Sequence, residues 1–310
     1  MTANHPGGGR KWALESEFGE SMHYVKVRSI LSARNGMNLY RGCQHGCIYC
    51  DARSCCYQMK HTFEDIEVKE NALQLLEMAL RSRRKPCMIG TGAMSDPYMP
   101  LEAQLQMTRG ALALVEKYGF GAVVQTKSDL VLRDLDLLKR INEKTKAVVQ
   151  MTLTTAEENL CRLLEPEVCT TARRVEVLAQ LQEAGIPTVV WICPILPFLN
   201  DTEENIRKLV SFCGAAGVKG IIHFGMGLTL RDGNREYFYG QLDRYFPGLK
   251  ERYIRTYGNA YALNSPNERR LEQAFREDCD RYGIWRDNDR IFAYLSEFEE
   301  KQQAEQLCLF

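Results

Sequence analysis

From residue 86 onward the chain alternates short apolar runs with longer amphipathic stretches, and this alternation limits the fold more than any other feature. The runs are rich in β-branched residues and are bounded by Gly or Pro, which predicts buried parallel strands. The stretches between them predict helices, since Gly185 followed by Pro187 is a typical helix end and Thr202 after Asn200-Asp201 is a typical start. The predicted strands are 87–92, 121–126, 147–154, 188–196 and 218–227, and the predicted helices are 101–118, 129–142, 171–184 and 202–215.

An earlier strand and helix complete this pattern. Residues 37–42 predict a first strand and residues 67–83 a first helix, which brings the total to about six β–α units. Successive units with right-handed crossovers form an α/β fold. Six units are too few for a closed eight-unit barrel, so we predict a partial (β/α)6 TIM-like barrel, with a doubly wound sheet as the alternative. In both folds the functional site lies at the carboxyl ends of the strands.

The segment after residue 230 differs in composition, because it is dense in Arg, Tyr and Phe within a helical pattern. We expect it to close the open side of the barrel, although interleaved Arg and aromatic residues could also stack on nucleic-acid bases. The predicted regions are an N-terminal leader (1–34), a core barrel (35–230), a helical C-terminal extension (231–300) and an exposed tail (301–310).

The composition and the lengths of the apolar stretches indicate the cellular compartment and the kinds of partner to expect. No apolar stretch approaches the roughly 18 residues of a membrane span, and the N-terminus lacks the apolar core of a signal peptide. We therefore expect a cytoplasmic protein without a membrane partner. Twelve cysteines are many for a reducing compartment, where they are more often free thiols or metal ligands than disulfides. Lys+Arg and Asp+Glu both number 40, so net charge gives no reason to expect nonspecific nucleic-acid binding.

Three cysteines, Cys43, Cys47 and Cys50, lie within eight residues on a predicted loop. Thiolates favour zinc or an iron–sulfur cluster. Three cysteines on a four-iron cluster leave one iron open to a further ligand, which suits a cluster that binds a substrate or cofactor directly. We therefore predict a [4Fe–4S] cluster, with zinc as the alternative. A structural zinc site usually has four ligands, and the candidates for the fourth are His45, Cys55 and Cys56.

The spacing C-x3-C-x2-C, with Tyr49 before the last cysteine, resembles the signature of radical S-adenosylmethionine (SAM) enzymes. Further motifs resemble one branch, the spore photoproduct lyase-like or DNA repair photolyase-like proteins. The resemblance implies a partial (β/α)6 barrel and a cluster whose open iron is chelated by the amino and carboxylate groups of S-adenosyl-L-methionine. It also implies one-electron cleavage to a 5′-deoxyadenosyl radical, with flavodoxin or ferredoxin as an electron donor. The motifs are YRGCQHGCIYCDAR (40–53), GAMSDPYMPLE (92–102), QTKSDLVLRDLDLL (125–138), Glu165-Pro166, a segment from Arg174 to Gly185, and PILPFLND (194–201).

The same resemblance implies which residues contact S-adenosylmethionine. Tyr49 would pack near the adenine, and Ser95 and Asp96 would contact polar groups of the cofactor. Lys127 would lie near its carboxylate, and Arg174 could do likewise. The chemistry agrees, because a carboxylate accepts hydrogen bonds from ribose hydroxyls or an amino group and a lysine pairs with a carboxylate.

One position departs from the pattern of the spore photoproduct lyases. Those enzymes carry a cysteine two residues before the Ser-Asp pair, where it returns a hydrogen atom to the product radical, and here that residue is Ala93. Cys87 lies six residues upstream on a predicted strand, which is not an equivalent place. Tyr98 is the candidate for a catalytic radical relay, with Tyr40 as a second. The departure leaves the radical chemistry in place but not the assignment of a thymine dimer as substrate.

We therefore predict a lyase-like radical SAM enzyme that acts on a nucleic-acid lesion or a modified base, with DNA as a partner. One alternative is radical modification of a peptide or small molecule. A second alternative is a non-catalytic zinc- and clamp-binding protein.

The last five residues resemble the peptide Gln-Leu-Ser/Asp-Leu-Phe, with which bacterial proteins bind the DNA polymerase sliding clamp. In this chain they are Gln306, Leu307, Cys308, Leu309 and Phe310. The glutamine would hydrogen-bond at the rim of a pocket that the leucine and phenylalanine side chains fill. We expect the tail to bind the clamp, and the alternative is that Leu309 and Phe310 fold back onto the barrel.

Overall fold

The computed structural model describes residues 22–301, and its elements alternate as the sequence pattern predicts. The strands are β1 (Met22–Val25), β2 (Gly36–Met37), β3 (Tyr40–Arg41), β4 (Ile66–Lys69), β5 (Met88–Thr91), β6 (Gly121–Thr126), β7 (Ala147–Thr152), β8 (Thr188–Trp191), β9 (Gly220–Ile222), β10 (Gly227–Thr229) and β11 (Ala262–Asn264). The α-helices are α1 (Ala72–Ser82), α2 (Glu102–Leu105), α3 (Met107–Lys117), α4 (Leu135–Lys144), α5 (Glu158–Leu164), α6 (Thr171–Glu183), α7 (Glu203–Ala215), α8 (Asn234–Tyr245), α9 (Leu249–Tyr257), α10 (Glu268–Tyr282) and α11 (Asn288–Ser296). Short 3-10 helices span Asp51–Arg53, Cys55–Tyr57 and Asp129–Asp134.

Six parallel strands form the main sheet, in the order β2-β5-β6-β7-β8-β9. This order follows the chain and has no reversal, so β2 and β9 are the two edges. A doubly wound sheet reverses its strand order at a switch point. The order therefore excludes that alternative and confirms the α/β class and the partial, TIM-like barrel.

The core explains why the strand sequences are so apolar. All six residues of β7 are buried, as are five of the six in β6. Strands that are covered on both faces are expected to be nearly continuous in apolar residues. Helices α1, α3, α4, α6 and α7 each add leucine side chains to one continuous core, namely Leu76, Leu112, Leu138, Leu178 and Leu209.

The first predicted strand and helix have different bounds in the structure. Residues 37–42 do not form one strand, because β2 pairs in parallel with β5 whereas β3 pairs antiparallel with β4. The helix begins at Ala72 and not at residue 67, since residues 66–69 form β4. A second sheet therefore lies beside the barrel entrance, with the order β1-β4-β3.

The predicted helix 101–118 is interrupted at Gln106, whose φ is 51°. The cause is the fully buried carboxylate of Glu102. It accepts a hydrogen bond from the backbone N–H of Thr108 at 3.1 Å and pairs with Arg133 at 2.7 Å. Satisfying this buried charge outweighs the continuity of the helix.

The C-terminal extension is helical, as predicted, and it packs on the end of the barrel. α10 lies against α7, α11 lies against β9, and the backbone of Trp285 bonds with Lys219 and Ile221. β11 pairs antiparallel with β10, so strands from either side of residue 230 share one small sheet. Within residues 22–301, no helix combines the length and the apolar character that spanning a bilayer would require.

Candidate functional site

A cavity of about 370 Å³ opens at the carboxyl ends of the barrel strands. Its wall is built largely from the residues that follow each strand, which is where this fold places its sites. Gly92 to Asp96 follow β5, Lys127 follows β6, Cys193 follows β8 and Phe224 follows β9. Asn264 on β11 brings the C-terminal extension to the same wall.

Cys43, Cys47 and Cys50 all line this cavity, on the loop that follows β3. The backbone N–H of Ile48 donates to the carbonyl of Leu164 at 3.0 Å, which fixes the loop against the barrel. Burial raises the pKa of the Cys43 thiol to about 12, and it also raises the pKa values of Cys47 and Cys50. These sulfurs become thiolates only when a positively charged group binds them.

Asp96 is held rigidly at the end of β5. Its Oδ1 accepts from the Thr126 hydroxyl at 2.7 Å and from the Tyr98 N–H at 2.9 Å, and its Oδ2 accepts from the Lys127 N–H at 2.8 Å. The neighbouring Ser95 hydroxyl donates to the Tyr40 carbonyl at 3.1 Å. Ser95 and Asp96, which are adjacent in the sequence, are thus oriented by groups at the ends of β3 and β6.

Lys127 supplies positive charge inside the cavity. Burial alone lowers the pKa of this ammonium group, but the negative charges of Cys47, Glu165 and Asp96 more than offset that effect and raise it. Lys127 therefore stays protonated beside the cysteine loop. A buried cation in this place favours an anionic group in the cavity.

Tyr49 lines the cavity, and its hydroxyl donates a hydrogen bond to the Glu165 carboxylate. Glu165 in turn forms an ion pair with Arg174, and both side chains are fully buried. Arg174 also donates to the carbonyls of Thr152 at 2.7 Å and Cys169 at 2.9 Å. Arg174 is absent from the residues that line the cavity. The structure links it to Tyr49 through Glu165, and its predicted contact with the cofactor stays a prediction.

A comparison with known families matches residues 37–213 to the radical SAM superfamily, which is more than half of the chain. The chain belongs to the radical SAM superfamily. Enzymes of this superfamily use a [4Fe–4S] cluster and S-adenosylmethionine, so this protein is a radical SAM enzyme with those cofactors.

Two relatives extend the likeness beyond the family match. An uncharacterized protein of Mycobacterium tuberculosis strain H37Rv is 30% identical over 250 residues, which is 76% of this chain and 71% of the relative. An uncharacterized protein of Methanocaldococcus jannaschii is 35% identical over 190 residues, which is 61% of this chain and 70% of the relative.

Solved structures of spore photoproduct lyase share the fold of this radical SAM enzyme. The structure complexed with dinucleoside spore photoproduct has a TM-score of 0.62 at 14% identity and covers 86% of this chain and 81% of its own. A mutant of spore photoproduct lyase with bound AdoMet and dinucleoside spore photoproduct has a TM-score of 0.61 at 15% identity. The match covers 90% of this chain and 87% of the mutant chain. At this identity the likeness concerns the fold, and it agrees with the partial barrel.

The donor set of the cavity fits an iron–sulfur cluster better than a single zinc ion. Sulfurs bound at about 2.3 Å to one tetrahedral zinc ion would lie roughly 3.8 Å apart. In the part of the chain that the structure describes, the group of three ligand atoms within 4.8 Å of one another comes from His23, His61 and Glu67, and not from the three cysteines. The three cysteine sulfurs therefore do not all lie within 4.8 Å of one another, and such a separation suits a cluster of several metal ions.

The polar groups around the cavity also fit a large polar cofactor. His45 lines the cavity with both ring nitrogens buried and without a hydrogen-bond partner, and burial lowers its pKa. Gly92 has a φ of 100°, and a Cβ there would overlap the carbonyl oxygen of Gln125. The close approach of β5 and β6 at this glycine sets the position of Asp96.

Tyr98 and Tyr40, the predicted radical relays, are placed in the core. Tyr98 is fully buried, donates to Asp134 at 3.0 Å and is absent from the cavity lining. Tyr40 is also buried, and its hydroxyl donates to Glu102. Each phenol has a carboxylate partner and lies outside the cavity lining, and the catalytic role of Tyr98 stays a prediction.

Sequence reasoning missed Cys193 and Phe224 as cavity residues. Cys193 lies within the predicted strand 188–196 but beyond the observed end of β8 at Trp191, and burial raises its pKa to about 12. Phe224 lies two residues beyond β9 and is 66% exposed. Both positions fall inside the predicted strands 188–196 and 218–227, which end earlier in the structure, so they were not recognised as residues that follow a strand. The predicted clamp-binding residues 306–310 lie outside the described residues.

Proposed function

We propose that Cys43, Cys47 and Cys50 hold the [4Fe–4S] cluster. Support comes from their shared position on one cavity wall, from a spacing wider than a single zinc ion needs, and from the family to which the chain belongs. When bound with S-adenosylmethionine, the cluster supplies a 5′-deoxyadenosyl radical.

The same proposal places S-adenosylmethionine beside Ser95, Asp96 and Lys127. The Asp96 carboxylate is held by three hydrogen bonds before any ligand binds, so it is oriented to accept from an amino or hydroxyl group. The protonated Lys127 offers a partner for a carboxylate. Tyr49, fixed by Glu165, offers its ring as a packing surface.

We propose that the substrate is a nucleic-acid lesion or a modified base. The observation that carries this is Phe224, whose exposed ring lies at the cavity mouth. The Phe224 ring stacks on the Phe292 ring, with the centroids 6.2 Å apart and the planes at 22°. The centroid of the Trp191 ring lies 5.8 Å from that of the Phe224 ring. A supported aromatic face at a cavity mouth can stack an unpaired base, and such stacking contributes about 1–3 kcal/mol per base. The dinucleoside in the spore photoproduct lyase structures supports the same substrate class.

Release of 5′-deoxyadenosine by the reduced, anaerobic enzyme tests this proposal. We expect ultraviolet-irradiated or modified DNA to raise the rate of release over that with undamaged DNA or with none. Phe224→Ala should raise the DNA concentration needed for half-maximal stimulation roughly 5- to 150-fold, from the loss of one stacking contact. Tyr24→Ala, which removes an exposed ring on β1, is the matched control and should leave the stimulation unchanged. Equal release with and without every DNA tested would point to a peptide or small-molecule substrate.

The cavity also offers a source for the hydrogen atom that returns to the product. Among the described residues 22–301, Cys193 is the one cysteine besides Cys43, Cys47 and Cys50 that lines the cavity. Its high pKa keeps it an S–H group at neutral pH. We propose that its S–H bond breaks as a C–H bond forms on the product radical. The resulting thiyl radical then takes one electron from the flavodoxin or ferredoxin donor, and one proton from solvent.

We propose further that residues 306–310 bind the bacterial sliding clamp. The support is the peptide Gln-Leu-Cys-Leu-Phe itself. Deleting these five residues should abolish binding to purified clamp and leave 5′-deoxyadenosine release in its absence unchanged. Retained clamp binding in the truncated protein, or none in the full chain, would refute the assignment.

A further inference from the structure

A second group of metal-ligand side chains lies away from the cavity, on the small sheet. His23 on β1 and Glu67 on β4 are direct partners in the parallel register, so their side chains share one face. His61, just before β4, brings its ring over the same face, with its centroid 4.9 Å from that of His23 and the planes at 89°. One ligand atom from each of the three residues lies within 4.8 Å of the other two.

The hydrogen bonds of His61 determine which of its nitrogens carries the proton. Its Nδ1 lies 2.9 Å from the carbonyl oxygen of Thr62, which can only accept, so Nδ1 must be the donor. In a neutral ring Nε2 then has a lone pair, and this lone pair lies 3.1 Å from the carboxylate of Glu67. Two acceptors at that distance repel each other. A metal ion bound at Nε2 would remove this repulsion.

The surroundings match those of a metal-bound histidine. Such a histidine usually donates its other ring nitrogen to a carbonyl or carboxylate, which orients the ring. His61 does so through Thr62, and Nδ1 of His23 lies 3.0 Å from the Asp65 carboxylate. The separation of 3.1 Å between His61 and Glu67 is close to the distance of roughly 3.3 Å between two ligands of a tetrahedral zinc ion.

Two cations near Glu67 make their hydrogen bonds with other groups, although the charge of Glu67 still acts on the Lys69 ammonium. Lys69 and Arg41 lie on the same sheet, but Lys69 donates to the carbonyl of Asn38 at 2.6 Å and Arg41 donates to the carbonyl of Tyr57. His23, His61 and Glu67 are each partly buried. Partial burial limits competition from water while leaving a path for an ion to enter.

We propose that His23, His61 and Glu67 bind a Zn²⁺ ion. Two imidazoles and one carboxylate are a common ligand set for zinc, with a fourth position left for water. The ion would hold β1, an edge strand paired with β4, to the segment that leads from the cysteine loop into β4. This site is independent of the cluster and of the proposed substrate.

The test uses the full-length protein with its iron–sulfur cluster in place, treated with a chelator and then given one equivalent of ZnCl₂. We expect one zinc ion per chain after gel filtration. Zinc K-edge X-ray absorption should show nitrogen and oxygen neighbours at about 2.0–2.1 Å, together with outer-shell imidazole scattering. Zinc should also raise the temperature of thermal unfolding, because an ion that binds only the folded state stabilises it.

His23→Ala, His61→Ala and Glu67→Gln should each abolish stoichiometric zinc binding and the thermal shift. His223→Ala is the matched control, since it removes an imidazole that lies 3.4 Å from the Glu272 carboxylate elsewhere in the protein, and it should retain both. Unfolding of each variant with excess chelator should match wild type, which shows that the fold survives. If His61→Ala does not fold, His61→Gln replaces it.

Three results would overturn the proposal. The first is the absence of a stoichiometric zinc ion in the wild-type protein. The second is a shell of sulfur neighbours at about 2.3 Å, which would place zinc on exposed thiols such as Cys55 and Cys56. The third is undiminished binding in the ligand variants. Iron content should be the same in all variants, so failure here is distinguishable from failure of the cluster assignment.

Discussion

The hydroxyl of Tyr49 donates a hydrogen bond to Glu165, a carboxylate 116 positions away in the sequence. Glu165 is fully buried and is paired with Arg174, which is itself fully buried. The aromatic residue that precedes the last cysteine of the triplet is therefore positioned by a buried ion pair. Arg174 acts on the cavity through this pair, as a positioning residue.

Removing Arg174 should destabilise the protein strongly. Arg174→Ala leaves the Glu165 carboxylate buried without its partner, which typically costs about 3–5 kcal/mol. Arg174→Lys should cost less, because the charge remains while the bonds to Thr152 and Cys169 are lost. The free energy of unfolding in urea measures both. Lys208→Ala, which breaks an exposed pair with Glu204, should cost about 1 kcal/mol or less. A similar loss for Arg174→Ala would contradict the buried pair.

The same pair should make stability depend on acid pH. Burial raises the pKa of Glu165, but Arg174 and Lys127 outweigh it and hold the pKa below its ordinary value. Because the folded-state pKa is depressed, the unfolded chain takes up the proton first as the pH falls. The contribution of Glu165 is thus complete above about pH 4.3 and is lost as pH falls further, toward the folded-state pKa.

The difference in unfolding free energy between wild type and Glu165→Gln measures this contribution. We expect the difference to be constant from pH 7 to about pH 5 and to shrink at lower pH. A difference that stays level down to pH 3 would mean that folding does not lower the pKa of Glu165, and a difference that grows would mean that folding raises that pKa.

The sequence was sufficient for the features that depend on local pattern. β6 has the bounds predicted from its apolar run, and residues after separate strands, such as Asp96 and Lys127, meet because parallel strands end at one edge. Other features depend on contacts between distant residues, which leave no local signal. The break at Gln106 depends on Arg133, and the place of Arg174 behind Tyr49 depends on Glu165. No pattern in the sequence showed that the extension reaches the cavity through Asn264.

Changing Cys193 should separate radical formation from product formation. Cys193→Ser keeps the size of the side chain but removes the weak S–H bond, so the product radical loses its hydrogen source. We expect 5′-deoxyadenosine release to continue on a responsive DNA substrate, while repaired or modified product falls at least about tenfold. Cys87→Ser is the matched control, because Cys87 lies at the opposite end of β5 from the cavity, next to Arg83. Full product yield from Cys193→Ser, or a loss in Cys87→Ser alone, would rule out Cys193.

A methyl group at Gly92 should disturb the cofactor site, because a Cβ there has no room. The residue has a φ of 100°, and the added carbon would overlap the Gln125 carbonyl at the end of β6. The backbone must move, and the movement displaces Ser95 and Asp96 from the positions set by Tyr40 and Thr126.

For Gly92→Ala we expect a loss of roughly 1–3 kcal/mol in the free energy of unfolding. S-adenosylmethionine binding to the cluster-loaded protein should weaken at least about tenfold. Gly90→Ala is a control on the same strand, because a Cβ at Gly90 has nothing within 4 Å and the backbone there is not left-handed. Equilibrium dialysis with labelled S-adenosylmethionine measures the affinity, and urea unfolding measures the stability. If the two alanine variants behave alike, the contact between β5 and β6 does not set the position of Asp96.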